Sequence, residues 1–534
     1  MTRYGMVVDL NRCVGCQTCT IACKHANDTL PGVQWRRVLD VEYGAFPDVE
    51  RVFLVVGCQH CADPPCVPVC PSGATKQRAD GLVTMDYDTC IGCAYCAVSC
   101  PYQARTIVHD REGYYGDLTT QENHVAHDDR INVANKCTFC VGRIDDAKAL
   151  GLTPGVDPEV TPACAVSCIS KAIRFGDFAD PDSEVSTLAR DNRSFQMHAE
   201  LGTDPQIRYL YEVPATTPGR DPDAGDADDA VLSDPSNPLV GQRQKFWDYR
   251  AAMNFAVGGM GAGLGVVAWL AWIAGVIGMD SLRILHVVAA TAMSVGLFFV
   301  FLKIGRKMRF LNVLLRPQSS WMTRETWCVA VFYPAVGANL LWPHSVFATL
   351  AGVAAGGFLL SQALILYKAR GIPTWRAPLM PWMLTATGLF EGVGLAAVAT
   401  ALSVGEIPYT PAFALAGIGL AVTNAMMWRC YNATAKQCGI GPLSRRDLSS
   451  ISIPLLSLGH SVPALLFALA FGVAVGPVSA SILAGLGGTA AVAGGMLWKF
   501  WIVTRACHQQ GFALPKIPQR GSGLRAAPER LAPV

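Results

Sequence analysis

Cys13-Val14-Gly15-Cys16-Gln17-Thr18-Cys19-Thr20-Ile21-Ala22-Cys23 decides how the first third of this chain is read. Its spacing is C-x2-C-x2-C-x3-C, and Cys90, Cys93, Cys96 and Cys100 repeat it, followed by Pro101. Two-residue gaps let three thiolates converge on one face of an iron-sulfur cubane, while the fourth cysteine points away toward a neighbouring cluster. Such runs therefore come in pairs. Cys58, Cys61, Cys66 and Cys70, followed by Pro71, form a second quartet with one gap widened to four residues. Cys137, Cys140, Cys164 and Cys168 form the last, with a long loop between its halves. Sixteen of the twenty cysteines are thus accounted for as three plus one in each quartet.

Zinc and disulfides are the competing uses of cysteine. Structural zinc takes four thiolates per ion, commonly from two distant C-x2-C pairs, which suits a C-x2-C-x2-C-x3-C-P run poorly. Disulfides need an oxidising compartment, and Met1 to Arg12 contains no apolar h-region that would direct export. Cys328, Cys430, Cys438 and Cys507 are scattered through apolar sequence and read as ordinary buried thiols. An internal repeat supports the pairing: Val8-Asp9-Leu10-Asn11-Arg12-Cys13-Val14-Gly15-Cys16 is echoed by Met85-Asp86-Tyr87-Asp88-Thr89-Cys90-Ile91-Gly92-Cys93. Strand-like runs at 51–56, 81–85, 106–109 and 173–175 flank the cysteines. The expected fold of residues 1–212 is an α+β, ferredoxin-like domain of two dicluster modules with four 4Fe-4S clusters, held together largely by metal binding.

Residues 213–248 are expected to form an acidic flexible linker, with Asp221, Asp223, Asp226, Asp228 and Asp229 close together among Pro, Gly, Ala and Ser. Beyond it the chain turns apolar. About 20 residues at 1.5 Å each match a hydrocarbon core of roughly 30 Å. Eight spans are expected, approximately 251–277, 282–302, 326–341, 346–367, 381–402, 411–428, 453–475 and 479–503, making residues 249–510 an all-α membrane anchor and 511–534 a cytoplasmic tail. The third is short and carries Pro334. The net charge of +2 hides an asymmetry. Lys303, Arg306, Lys307, Arg309, Arg316 and Arg324, then Lys368, Arg370 and Arg376, then Arg429, Lys436, Arg445 and Arg446 fall in alternate connections. The positive-inside rule places both termini and the cysteine-rich domain in the cytoplasm. Within the spans the ionisable candidates are Glu391, His460 and His286. Glu391 and His460 suit an interhelical hydrogen bond or a proton or quinone role. His286 and His460 fall at different depths and no C-x-x-C-H occurs, so no haem is expected.

With its quartets in this order, and with Lys136-Cys137-Thr138-Phe139-Cys140-Val141-Gly142-Arg143 followed by Pro162-Ala163-Cys164, residues 1 to about 210 resemble the four-cluster iron-sulfur subunit of the dimethyl sulfoxide reductase family of molybdenum enzymes. The resemblance implies four ligand sets: Cys13, Cys16, Cys19 and Cys168; Cys137, Cys140, Cys164 and Cys23; Cys58, Cys61, Cys66 and Cys100; Cys90, Cys93, Cys96 and Cys70. Ile169 stands where a ferredoxin proline is usual, but proline is not a ligand. Residues 250–510 resemble the eight-helix anchor subunit of the same enzymes, here fused, through Leu302-Lys303-Ile304-Gly305, Met308-Arg309 and Ser320-Trp321-Met322-Thr323-Arg324-Glu325. The resemblance implies a quinone site with Lys303, Arg309 and Glu325, Lys303 standing where some relatives have histidine.

The combined expectation is a subunit without substrate turnover of its own. It would relay electrons between a large molybdopterin-containing partner and the membrane quinone pool, with exchangeable quinone and no nucleic-acid partner. A cytoplasmic substrate of the sulfite or phenylacetyl-CoA type, oxidised with quinone reduction, is expected. The weak similarity of Gly511-Phe512-Ala513-Leu514-Pro515 to anchors of the latter group points the same way. The alternatives are a quinol-oxidising reductase of a sulfoxide, polysulfide or N-oxide, and an iron-sulfur sensor or scaffold with no catalytic partner.

Overall fold

The structure, a computed structural model, describes residues 2–45, 48–125, 127–211, 232–403, 411–472 and 476–514. It divides into two compact units: a cysteine-rich one of residues 1–68, 73–242 and 509–534, and a helical one of residues 69–72 and 243–508. The aspartate-rich segment of the expected linker lies outside the described residues.

The cysteine-rich unit is mixed α/β and ferredoxin-like. Tyr4–Asp9 runs parallel to Ile207–Leu210 and antiparallel to Ile173–Asp177, and Ser194–Phe195 completes a four-stranded sheet. Arg36–Ala45 and Asp48–Gly57 form a long antiparallel hairpin that pairs Arg36 with Gly57. Val83–Met85 and Thr106–Ile107 are strands in two-stranded sheets. The repeat seen in sequence is also a repeat in shape: Asp9 accepts the Asn11 N–H at 2.9 Å, and Asp86 accepts the Asp88 N–H at 3.0 Å. Each aspartate closes a turn that launches a cysteine loop. Met6, Val8, Leu54, Val56 and Ile207 pack in one core with Cys19, Cys23, Cys58, Cys61, Cys100, Cys137 and Cys164. These cysteines are therefore part of the core rather than appended to it.

Residues near two of the expected boundaries are buried. Leu239, inside the expected linker, is fully buried in the cysteine-rich unit, while Gln244 and Trp247 are buried in the helical unit. In the expected tail, Phe512 and Leu514 join the cysteine-rich core, and the Gly511 carbonyl lies 2.8 Å from His198 Nε2. The cause is their apolar side chains, which find a partly formed hydrophobic surface beside Arg37.

The helical unit is all-α. Tyr249–Ile273, Met279–Lys303, Ser345–Lys368, Met380–Leu402, Pro411–Ala433, Pro442–Gly472 and Pro477–Thr504 are seven helices long and apolar enough to cross a membrane. The third expected span lies in the helix Trp321–Leu341, which falls short of that standard because its first turns carry Thr323, Arg324 and Glu325. Pro442–Gly472 begins eleven residues earlier than its apolar stretch and contains a π-helical segment, Leu455–Ser461. Pro454 just before that segment brings no N–H, and the widened turn accommodates the missing bond. The helices Gly259–Ile273 and Met380–Leu402 touch backbone to backbone. A Cβ on Gly263 would overlap the Gly388 carbonyl, and one on Gly392 would overlap the Gly263 carbonyl group.

Gly263→Leu should therefore force these helices apart and destabilise the detergent-solubilised protein by at least the about 1–3 kcal/mol typical of overpacking. Gly337→Ala, where the added Cβ meets nothing within 4 Å, should not lower the thermal unfolding midpoint.

Candidate iron-sulfur and membrane sites

Each C-x2-C-x2-C loop is wound by a pair of left-handed residues. Gly15 and Gln17 have φ of 69° and 61°, and their repeat equivalents Gly92 and Ala94 have 72° and 64°. A left-handed non-glycine costs roughly 1–2 kcal/mol, and alternating handedness turns successive N–H groups toward one centre, a geometry that binds anionic sulfur. Gly15 is required twice over, since a Cβ there would also meet the Phe53 ring at 2.5 Å. Phe139 and Cys140 repeat the left-handed device in the last quartet, at φ of 57° and 54°.

The loops sort the cysteines into groups. The charges of Cys16, Cys19 and Cys168 act on Cys13, and those of Cys137, Cys164 and Cys140 on Cys23. Asn27 Nδ2 lies 3.8 Å from Cys23 Sγ and 3.5 Å from Cys140 Sγ, bridging the first and last quartets. Cys100 is grouped with Cys66 and Cys58, and Cys61 with Cys58, Cys66 and Cys100. Cys90 and Cys96 are buried and Cys93 half-buried in the cysteine-rich unit, and Cys70 lies in the short segment grouped with the helices. Burial, reinforced by neighbouring sulfur, pushes the Cys100 thiol up to about 12. Burial likewise pushes Cys137 up to about 12, although the Arg36 charge opposes it. Cys16 is exposed, and the Thr18 hydroxyl 3.3 Å away holds its thiol below the usual range.

Among the described residues no group of three or more His, Cys, Asp or Glu side chains is gathered tightly enough to grip a single metal ion. A cubane spreads its thiolates over separate irons, so its ligands stand wider apart than those of one ion. A small recess is lined by Cys58, Cys61, Cys66, Cys100 and Arg105. Arg105 Nη2 is buried there without a hydrogen-bond partner. Four sulfur donors around such a recess, with a cation on its wall, fit an iron-sulfur cluster.

The fold also brings several non-cysteine residues among the sulfurs. His60 is fully buried, stacked on Phe139 with ring centroids 3.8 Å apart. Its Nδ1 accepts the Val83 N–H at 3.1 Å, so its proton resides on Nε2, which faces the Cys137 carbonyl at 3.1 Å. Burial and the Lys136, Arg36 and Arg105 charges hold its pKa well below the ordinary range. Lys136 donates to the Val83 and Cys137 carbonyls. Lys136 and Phe139 lie in the run Lys136 to Arg143 that carries the resemblance, whereas no periodicity or spacing marks His60 in sequence.

In the helical unit Glu325 is buried, and Asn254 Nδ2 donates to its Oε1 at 3.2 Å. Gln362 Nε2 donates to the Asn254 carbonyl at 2.9 Å. Asn254 opens a π-helical turn, Asn254–Gly258. Lys303 ends its helix with its charge acting on Asp248, and Arg309 lies in the 3-10 segment Lys307–Leu314. Glu391 does not face a neutral partner: Lys499 Nζ lies 2.5 Å from its Oε2, and both side chains are buried. Lys499 is thus a further ionisable residue of the spans, and Met496-Leu497-Trp498-Lys499-Phe500-Trp501 displays it plainly. His286 and His460 are both buried.

Lys499→Met should leave the Glu391 carboxylate uncompensated and destabilise the protein by about 3–5 kcal/mol, whereas Glu391→Gln combined with Lys499→Met should recover most of that loss. Thermal unfolding of the single and double variants in one detergent measures the difference.

Comparison with known proteins places these groups in context. A 4Fe-4S dicluster domain family matches residues 49–114. An iron-sulfur subunit assigned to dimethyl sulfoxide reductase in Halobacterium salinarum is 40% identical over 39% of this chain and 79% of its own length. A sulfite dehydrogenase subunit of Allochromatium vinosum is 40% identical over 39% of this chain and 83% of its own. A tetrathionate reductase subunit of Salmonella typhimurium is 38% identical over 39% of this chain and 72% of its own.

Proposed function

This chain belongs, through its cysteine-rich domain, to the iron-sulfur subunits of the dimethyl sulfoxide reductase family, and on that premise we propose that it is the electron-relay and membrane-anchor subunit of a molybdenum oxidoreductase complex. The observation that carries the reading is the union in one chain of grouped, buried thiols with seven membrane-length helices.

Bound iron-sulfur clusters supply one-electron transfer. The chain's own part is to hold and space them. Cys13, Cys16, Cys19 and Cys168 make one set; Cys23, Cys137, Cys140 and Cys164 the next; Cys58, Cys61, Cys66 and Cys100 the third. The fourth, Cys90, Cys93, Cys96 and Cys70, rests on the family resemblance. His60 and Phe139 stack in the core between residues of the second and last quartets and exclude water there. Val14 and Ile21, on either side of the exposed Cys16 in sequence, are exposed by 58% and 63%, and Val166 and Ile169, on either side of Cys168, by 46% and 70%. Exposed apolar side chains beside cluster ligands suit a docked catalytic partner, which would carry the molybdopterin chemistry.

At the membrane end, Lys303 and Arg309 would hold quinone oxygens. Glu325, buried against Asn254, would pass a proton at its carboxylate. Loop charge supports a cytoplasmic face for the cysteine-rich unit. The flow we infer is from a cytoplasmic substrate to quinone, favoured by a relative named as part of a sulfite dehydrogenase. Relatives named as parts of reductases favour the reverse flow as a second reading.

The complex purified from native membranes through a tag on this chain should contain about one molybdenum or tungsten and more than about sixteen irons per chain, counting four-iron clusters. Iron at or below that figure with neither heavy metal would favour the sensor or scaffold. In the same preparation Glu325→Gln should slow quinone reduction at least about tenfold while leaving iron content unchanged, as loss of a proton-transfer group does.

A further inference from the structure

Among the described residues, Arg36 and Arg105 are the two arginines with almost no solvent contact, at 1% and 5% exposure. Neither has a carboxylate partner among those residues. Burying a charge without compensation costs several kcal/mol or more, so something else in the folded protein must balance each one. Both guanidinium groups rest on a methionine sulfur, Arg36 Nη2 on Met6 Sδ at 3.2 Å and Arg105 Nη1 on Met85 Sδ at 3.0 Å. Arg105 Nη1 also reaches the Thr75 hydroxyl at 3.3 Å. These neutral contacts do not satisfy either cation: Nε and Nη1 of Arg36 and Nη2 of Arg105 are buried with no hydrogen-bond partner.

The surroundings of the two are alike. Arg36 faces Cys19 of the first ligand set and Cys164, Cys137 and Cys23 of the second. Arg105 faces Cys66, Cys58 and Cys100 of the third set and Cys96 of the fourth. Space is reserved for the Arg36 group as well. Its strand partner is Gly57, where a Cβ would press to 3.2 Å of Nη1. Lys136 differs, because its ammonium is engaged by two backbone carbonyls and serves to tie loops together.

We infer that Arg36 and Arg105 are the counter-charges of the electron relay, one guanidinium between each two neighbouring ligand sets, donating to cluster sulfur and holding the reduction potentials up. A cubane with four thiolates is an anion whose negative charge grows by one on reduction. A fixed cation in a low-dielectric core stabilises the reduced form more than the oxidised one. The inference rests on the reading that the thiols hold iron-sulfur clusters.

The test is a redox titration followed by electron paramagnetic resonance on the full chain in its native-membrane complex, with iron determined on each sample. In Arg36→Gln the midpoints of two clusters should fall, each by at least a tenfold change in the reduction equilibrium, which is about 59 mV for one electron. In Arg105→Gln the other two should fall instead, and Arg36→Lys and Arg105→Lys should recover most of each shift. Unmoved midpoints at full iron content overturn the inference. If a Gln variant does not retain iron, pulsed resonance on the unsubstituted protein carrying 15N-arginine decides: nitrogen coupling to the reduced clusters supports the inference, and its absence overturns it. Lack of any cluster signal and of iron in the unsubstituted protein would instead sink the cluster reading beneath it.

Discussion

A core made partly of sulfur ligands must hold many thiolates in low dielectric without letting them repel the fold apart. That constraint organises the cysteine-rich unit. Its apolar residues, Met6, Val8, Leu54, Val56 and Ile207 among them, share a single core with the cysteines. Hydrophobic burial and ligand placement are consequently one problem. The left-handed turns at Gly15, Gln17, Gly92 and Ala94 aim backbone donors at the sulfur, and the buried Arg36, Arg105 and Lys136 bring positive charge inside. Backbone strain and desolvation are tolerated because the metal groups and the folded chain stabilise each other.

The helical unit meets the opposite constraint. Hydrocarbon provides little drive for apolar side chains to leave it, so contact between helices depends on close approach and on a few polar groups. Gly263, Gly388 and Gly392 provide the close approach. Glu391 with Lys499, and Glu325 with Asn254 and Gln362, provide the polar contacts. Ionised and hydrogen-bonding groups are expensive at such depth, so they are held against partners. The π-helical turn at Asn254–Gly258 serves the same end, since it is the Asn254 carbonyl that accepts from Gln362.

The two units also explain why one chain can serve as wire and anchor. In the proposed reading, thiols grouped across quartets, as where Asn27 spans Cys23 and Cys140, would hold a series of neighbouring one-electron sites. A quinone-reactive end needs cations and a carboxylate at the edge of an apolar bundle, which Lys303, Arg309 and Glu325 supply in the proposed reading. The residues that decide efficiency in such a series are those that adjust potential between ligand sets, not the ligands themselves.

The sequence by itself determined the quartets, the repeat around Cys13 and Cys90, the strands at 51–56 and 173–175 and the apolar lengths of the helices, because spacing and hydropathy are local and periodic. It says least where an isolated residue answers to a distant partner. Phe512 and Leu514 look like the start of a tail until a core is present to receive them, and Leu239 looks like linker for the same reason. Lys499 is visible as a charge in an apolar run, but its partner Glu391 lies 108 residues away and is identified only by helix packing. Arg36 and Arg105 are ordinary arginines on strand and loop until the chain closes around them. Only tertiary structure decides which charges are buried together, because burial and pairing energies depend on the three-dimensional surroundings and leave no period in the sequence.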